Sequence, residues 1–186
     1  WSALNANTTG TSNTAVGRGA LQVHENGNSN TAVGGNALDA STSASSNTAV
    51  GTAALGTTTT GGSNTAVGSS ALSANTTAAN NTAVGVSALA ANTTGTSNTA
   101  VGAFALDAAT TADSNTAVGR DALGASTTGN LNVAIGDYAM SASTTSDRNV
   151  AVGSNALSAL NQSGDTHITV VGFRSAQSNT TGSQFT

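Results

Sequence analysis

Hydrophobic and polar positions alternate in a short segment that returns many times along the chain. Residues 12–21 read SNTAVGRGAL and residues 29–38 read SNTAVGGNAL, and variants begin at 46, 63, 97 and 114. In an extended N-T-A-V segment, Thr and Val point to one face, and Asn and Ala point to the other. A second apolar run, A-L-x-A, follows the glycine. We predict that each repeat forms two short strands separated by turns.

The glycine that follows T-A-V sets the period of the repeat. Successive glycines are 17 residues apart, except for a last step of 19. They are Gly17, Gly34, Gly51, Gly68, Gly85, Gly102, Gly119, Gly136, Gly153 and Gly172. Helical repeats are longer, about 33 to 47 residues, so this period predicts the coils of a β-solenoid. About eleven coils stacked ~4.8 Å apart would form a rod roughly 50 Å long.

Some positions of the repeat are constant and others vary. With the glycine as position 0, Asn at −4, Ala at −2, Val at −1, Ala at +3 and Leu at +4 are nearly constant, whereas +1 and +2 differ from coil to coil. We infer that constant positions are buried and variable ones exposed. The constant residues of the first coils are Asn13, Ala15, Val16, Gly17, Ala20 and Leu21, followed by Asn30, Val33, Gly34 and Leu38.

The alternation predicts which side chains fill the coil. Val at −1, Leu at +4 and Ala at +6 are expected inside, and the Asn column is expected to form a hydrogen-bonded ladder between coils. Ala at −2 and +3 is then expected to point outward. An outward-facing column that stays constant indicates that another surface covers it. In addition, a single coil buries too little apolar area to offset the conformational entropy that is lost when its residues become ordered. We therefore predict a homo-oligomer.

The pattern N-T-A-V-G-x-x-A-L resembles the head repeats of YadA-like trimeric autotransporter adhesins, and similar repeats occur in bacteriophage tail fibres. The resemblance covers residues 1–160 and implies a left-handed parallel β-roll, assembled as a homotrimer. It implies an extracellular location, at a cell surface or in a virion fibre. The lattice of hydroxyl and amide groups along such a rod is a candidate surface for multivalent binding of a host-surface glycan or matrix protein. Residues 161–186 follow a two-residue insertion, and we expect an irregular last coil and a C-terminal cap or transition there.

Composition excludes several functions. Charged residues make up 6% of the chain, the net charge is −4 and no basic run occurs, which argues against nucleic-acid binding. No apolar run reaches the roughly 18 residues of a membrane span, so we expect no membrane insertion by this segment. The chain begins in the middle of the pattern at Trp1, and we expect it to be part of a longer protein.

The sequence contains no group of residues typical of catalysis, of metal binding or of cofactor binding. Gly17-Arg18-Gly19 lacks the further Gly and Lys of a phosphate loop. His24 and His167 lie in different loops, where we expect solvated side chains rather than metal ligands. We predict a non-enzymatic protein without a cofactor or a metal.

Two features bear on what the rod could bind. The aromatic residues at variable positions are candidates for exposed contacts, although they could also pack on a neighbouring chain. They are Trp1, Phe104, Tyr138 and Phe173. The second feature is a rank of Thr at −3, which leaves an ice-binding β-solenoid as an alternative by analogy of fold. Because Val133 and Val150 interrupt this rank, we expect position −3 to be an interior or interface position.

Overall fold

The computed structural model describes residues 2–181, which form twelve strands of three residues each and no helix. No helix in that range could therefore span a membrane. The strands are β1 Thr14–Val16, β2 Thr31–Val33, β3 Thr48–Val50, β4 Thr65–Val67, β5 Thr82–Val84, β6 Thr99–Val101, β7 Thr116–Val118, β8 Val133–Ile135, β9 Thr145–Asp147, β10 Val150–Val152, β11 Ser163–Asp165 and β12 Thr169–Val171. Each strand of the repeat is the T-A-V segment, or its variant, that the sequence predicts.

Ten strands form one parallel sheet in the order β1 to β8, β10 and β12. Each residue pairs with its equivalent in the next repeat, so that Thr31 is opposite Thr48 and Ala32 is opposite Ala49. The chain is therefore a parallel β-solenoid of about nine turns with 17-residue coils, as predicted. The count of eleven coils is too high, because the half coil before β1 contains no strand.

The segment A-L-x-A is a turn, so the predicted second strand is wrong. Its Leu has a left-handed backbone in every coil, with φ of 52° at Leu72 and Leu89, and this conformation is incompatible with a strand. The Leu still pairs with the next coil, since the N–H of Leu72 donates to the carbonyl oxygen of Ala88 at 3.0 Å. Stacking between coils thus replaces a regular ladder and helps offset the cost of the left-handed residue.

The interior is filled by different side chains from those predicted. Val at −1 points outward and is 57% exposed at Val16 and 37% exposed at Val84. Ala at −2 and +3 points inward, and Ala32 and Ala37 are fully buried together with Leu38. Ala at +6, such as Ala74, is only half-buried. The assignment of Val and Ala(+6) to the interior, and of Ala15 and Ala20 to an outer face, is therefore wrong.

The Asn column at −4 shares the inner face with Ala and forms a ladder through the stack. At Asn98 the backbone N–H donates to Oδ1 of Asn81 at 2.9 Å, and Nδ2 donates to the same oxygen at 3.2 Å. The Nδ2 group also donates to the carbonyl oxygen of Ala112 at 2.7 Å. The column comprises Asn13, Asn30, Asn47, Asn64, Asn81, Asn98, Asn115, Asn132 and Asn149. The side chain of Asn98 therefore links three coils and satisfies buried backbone groups.

The ladder ends at the irregular last coil. Position −4 is occupied there by Ile168, which is buried and has no amide to continue the ladder. Oδ1 of Asn149 accepts instead from the hydroxyl of Thr166 at 2.6 Å and from the backbone N–H of Ile168 at 3.0 Å. In the same coil β11 pairs with β9 of the coil before it, and Asp165 of β11 makes an ion pair with Arg148, the residue after β9. Thr166 thus terminates the column without leaving a buried acceptor unsatisfied.

The position 0 glycines form a second constant column, and the stack explains why they are glycines. Gly34 has φ of +139°, outside the range that L side chains adopt readily. A Cβ atom on Gly34 would lie 2.5 Å from the carbonyl oxygen of Gly51 in the next coil. The turn at Gly17 has the same geometry, with φ of +131°. The backbones of adjacent coils therefore approach too closely for any side chain.

Candidate interaction surfaces

The outer face of the ten-strand sheet carries no charged side chain at positions −3 and −1. We call it the sheet face. Position −3 holds Thr14, Thr31, Thr48, Thr65, Thr82, Thr99, Thr116, Val133, Val150 and Thr169. Position −1 holds Val16, Val33, Val50, Val67, Val84, Val101, Val118, Ile135, Val152 and Val171. The expectation that −3 is an interior position is thus wrong for the single chain, because these threonines are half-buried or exposed.

The hydroxyl groups of the sheet face differ from those of the other threonine rank. At position +8 the hydroxyl of Thr76 donates to the carbonyl oxygen of Thr93 at 3.1 Å, and that of Thr93 donates to Thr110 at 3.0 Å. Within residues 2–181, no such side-chain bond involves the hydroxyl of Thr65 or Thr82 on the sheet face. The sheet face therefore presents hydroxyl and methyl groups that are available to a partner.

A second surface lies at the variable corner of the coil, at positions +1 and +2. The large side chains of consecutive coils meet there, and we call Phe104, Arg120, Asp121, Asp137 and Tyr138 the aromatic corner. Phe104 is 46% exposed. Arg120 Nε and Nη2 donate to the two carboxylate oxygens of Asp137, both at 3.2 Å, and the guanidinium lies 4.6 Å from the ring centre of Tyr138. The ion pair and the ring contact fix the orientation of the Arg120 side chain.

Carboxyl groups beside the aromatic corner have perturbed acidity. Partial burial raises the pKa of Asp107, and the charge of nearby Asp121 raises it further. Partial burial likewise raises the pKa of Asp121; Arg120 lowers it and Asp137 raises it. Among residues 2–181, Asp107 and Asp121 take part in neither of the two ion pairs. These carboxylates therefore lack the salt-bridged cation that Asp137 has.

The raised pKa values of Asp107 and Asp121 predict a pH-dependent difference in stability between the unmodified protein and the double variant Asp107→Asn, Asp121→Asn. A carboxyl group with a raised folded-state pKa holds its proton more tightly in the native protein, so it destabilises the fold at neutral pH. We expect the variant to be more stable at pH 7, by less than about 1 kcal/mol because both groups are partly solvated. The advantage should shrink as the pH falls toward the ordinary Asp pKa of about 3.9. Thermal unfolding from pH 7 to pH 4 measures it, and a difference that grows on acidification would contradict the assignment.

A shallow trough runs from the N-terminal coils toward the aromatic corner. Its first depression, of about 390 Å³, is lined by Ser2, Arg18, Gly19, Gln22 and Asn36. The second, of about 420 Å³, is lined by Asn36, Asp39, Ala53, Gly56, Thr57, Ser73 and Ala74. Small side chains at +2 and +5 leave this space open, and Phe104 is the first large residue of the +2 column beyond it. The trough therefore ends at Ser73 and Ala74, two coils before Phe104.

The remaining candidate contact residues are separate from the aromatic corner. Phe173 is 68% exposed in the last coil, and Arg174 stacks at 4.9 Å from its ring centre. Trp1 lies outside the described residues. The structure therefore brings Phe104 and Tyr138 into one surface and leaves Phe173 four coils away from Phe104.

The two histidines are not equivalent. His24 is fully buried, which contradicts the expectation of a solvated loop residue. Its Nε2 lies 2.8 Å from the carbonyl oxygen of Gly27 and its Nδ1 lies 3.0 Å from the Ser41 hydroxyl, so the ring is a structural member of the inward +7 column. His167 is exposed. No cluster of three or more metal-ligating side chains occurs between residues 2 and 181.

Comparison with known proteins adds no further assignment to these surfaces. The chain matches no family model, no curated protein and no solved structure.

Proposed function

We propose that the chain is a segment of a non-enzymatic extracellular fibre, the head or shaft of a trimeric bacterial adhesin. The observation that carries the proposal is the uncharged sheet face, which extends over ten strands with its Val side chains outward. The resemblance of the repeat to YadA-like adhesin heads supports the same function. In this role the rod holds binding surfaces away from the cell and presents them in several copies.

The sheet face is typical of a covered surface. Parallel sheets occur almost only with both faces buried, and the inner face here is already packed on Ala and Leu. Contiguous apolar surface on the outside marks an interface. The residues at −3 and −1 also remain Thr and Val in most coils, while those at +1 and +2 vary freely. A partner that contacts every coil explains this constancy.

A second copy of the chain is the partner that fits this face. Its strands have the same ~4.8 Å spacing, so side chains of two copies interdigitate along the whole stack. The strands cover an area about 10 Å wide and about 43 Å long, smaller than the roughly 800 Å² per partner of a standard interface. Self-association should therefore involve the flanking turns and should strengthen with the number of coils. A closed ring of three copies satisfies every sheet face at once.

A charge on the sheet face should dissociate the assembly. For the unmodified protein we expect three times the 17.7 kDa chain mass, and for Val84→Lys we expect monomers, because the ammonium group cannot be desolvated in an apolar interface. Val86→Lys is the matched control, since Val86 is 50% exposed but lies at the variable corner. Light scattering measures all three. A folded monomer of the unmodified protein would refute self-association.

Ice binding is the second candidate function, and the position of the threonines favours it. Thr at −3 lies on the same outer face as Val at −1, and its partners in neighbouring strands are again Thr, so the hydroxyl groups form a regular rank across the strands. The same face cannot bind ice and a second copy at once. Thermal hysteresis from a monomeric sample would favour ice binding, and a trimer without thermal hysteresis would exclude it.

A further inference from the structure

The variable corner differs from the rest of the surface in the size and chemistry of its side chains. Along the +2 column, Phe104, Asp121 and Tyr138 occupy three consecutive coils. Adjacent coils are ~4.8 Å apart, which places the two aromatic residues ~10 Å from each other. The preceding residues of the column are small or polar. Two aromatic residues separated by a carboxylate therefore lie beyond the open trough, the nearer of them two coils from its last lining residues, Ser73 and Ala74.

This combination has the chemistry of a carbohydrate site. Aromatic side chains provide an apolar platform for the C–H face of a sugar ring, and polar groups beside them bind hydroxyls and fix orientation. Here the Asp107 and Asp121 carboxylates can accept hydrogen bonds, and Arg120 is held beside Tyr138 by Asp137. Each pyranose ring has an apolar face and an edge of hydroxyl groups. The aromatic rings of Phe104 and Tyr138 suit the apolar faces, and the carboxylate of Asp121 between them suits the hydroxyl groups.

The charge of the corner selects among glycans. Asp107 and Asp121 lie close enough to interact, and the guanidinium of Arg120 beside Asp121 already pairs with a third carboxylate, that of Asp137. A sulfated or carboxylated glycan would bring further negative charge to Asp107 and Asp121. A neutral chain avoids this repulsion, and an amino sugar adds attraction to the carboxylates and to the aromatic rings.

We propose that the aromatic corner and the adjoining trough bind a linear glycan without acidic groups. One sugar ring stacks on Phe104, the next reaches Asp121 and Tyr138, and the rest of the chain lies along the trough past Ala53 and Gly56. The inference deepens the proposed adhesive function and rests on it, since the ligand must be met outside the cell. The sheet face takes no part, so binding and self-association use separate surfaces.

The test uses the full 186-residue chain and three soluble hexasaccharides in titration calorimetry: an N-acetylglucosamine hexamer, a glucosamine hexamer and a heparin hexasaccharide. We expect both of the first two to bind, the glucosamine hexamer more tightly, and the heparin fragment not to bind. Phe104→Ala and Tyr138→Ala should each weaken binding at least about fivefold, since stacking is lost. Asp107→Asn with Asp121→Asn should remove the preference for glucosamine.

Phe173→Ala is the matched control, because Phe173 is an exposed aromatic residue at position +1 of the last coil, away from the aromatic corner and its carboxylates. It should leave the affinity unchanged. Ala53→Trp, which fills part of the trough, should weaken binding of the hexamers and leave binding of a disaccharide unchanged. No binding of either hexamer, equal binding of heparin, or an equal loss in Phe173→Ala would overturn the inference. Light scattering on the same samples keeps the two proposals separate, since a trimer that binds no glycan refutes this inference alone.

Discussion

Gly34→Ala is expected to destabilise the solenoid by about 2–6 kcal/mol. The new Cβ atom would lie 2.5 Å from the carbonyl oxygen of Gly51, and φ is +139°. An unfavourable backbone conformation costs about 1–3 kcal/mol, and the displacement of a packed backbone adds a comparable amount. Since 1 kcal/mol corresponds to about 2–4 °C in a chain of this size, thermal unfolding should occur at least about 4 °C lower.

Two glycines of the same chain separate the causes of this effect. A Cβ atom added to Gly35 would have no neighbour within 4 Å, and φ is not positive there, so Gly35→Ala should be neutral or stabilise by up to about 1 kcal/mol. Gly172 has φ of +132°, but the nearest neighbour of an added Cβ, Ser175 Cβ, would be 3.7 Å away. Gly172→Ala should therefore show the backbone cost without the clash. If Gly34→Ala and Gly35→Ala unfold at the same temperature, the prediction that a Cβ atom at position 0 destabilises the stack by contact with the next coil is wrong.

Asn98→Leu should have the second-largest effect, a loss of about 3–6 kcal/mol. The substitution removes the donor to the carbonyl oxygen of Ala112 and the acceptor for the backbone N–H of Asn115, which are bonded at 2.7 Å and 3.0 Å. Both groups then remain buried without a hydrogen-bond partner, and each costs about 1–3 kcal/mol of stability. The hydrogen bonds between the side-chain amide of Asn98 and those of Asn81 and Asn115 are lost as well. Chemical denaturation followed by circular dichroism measures the change.

Asn26→Ala is the control for Asn98→Leu, because Asn26 is exposed and lies outside the ladder. Its stability should stay within about 0.5 kcal/mol of the unmodified protein, as for most surface substitutions. If Asn98→Leu lowers the free energy of unfolding no more than the control does, the hydrogen bonds of the ladder contribute little to stability.

The sequence predicts the coil but not which face of its strand lies inside. The period and the alternation correctly indicate stacked coils and group Thr with Val and Asn with Ala. The larger Val suggests an apolar interior, yet Ala32 is buried and Val33 is only half-buried. The Asn column provides the missing signal, because a constant amide ladder needs shielding from water. Asn and Ala share a face, so that requirement alone places Ala inside, in a coil too narrow for two columns of large side chains.

The 17-residue period also makes part of the candidate surfaces predictable from the sequence. Counting in steps of 17 places Phe104, Asp121 and Tyr138 in one column, and the same count places His24 in the inward +7 column with Asn75. Side-chain conformation does not follow from the period. The stacking of Arg120 on Tyr138 depends on where the carboxylate of Asp137 lies, and that contact is set by packing between neighbouring coils.

The Asn ladder also gives the rod a direction of growth. The backbone N–H of each ladder Asn after the first donates to the side-chain oxygen of the Asn in the preceding coil, as that of Asn98 does to Oδ1 of Asn81. A completed coil therefore presents an unbonded Asn side-chain oxygen on its C-terminal side. This oxygen can accept a hydrogen bond from the backbone N–H of the Asn in the next coil to be synthesised. At 5–20 residues per second, a coil of 17 residues is synthesised in roughly one to three seconds, far longer than a short loop needs to close. The chain can thus wind onto its own template during translation until the Thr166 hydroxyl occupies the last acceptor.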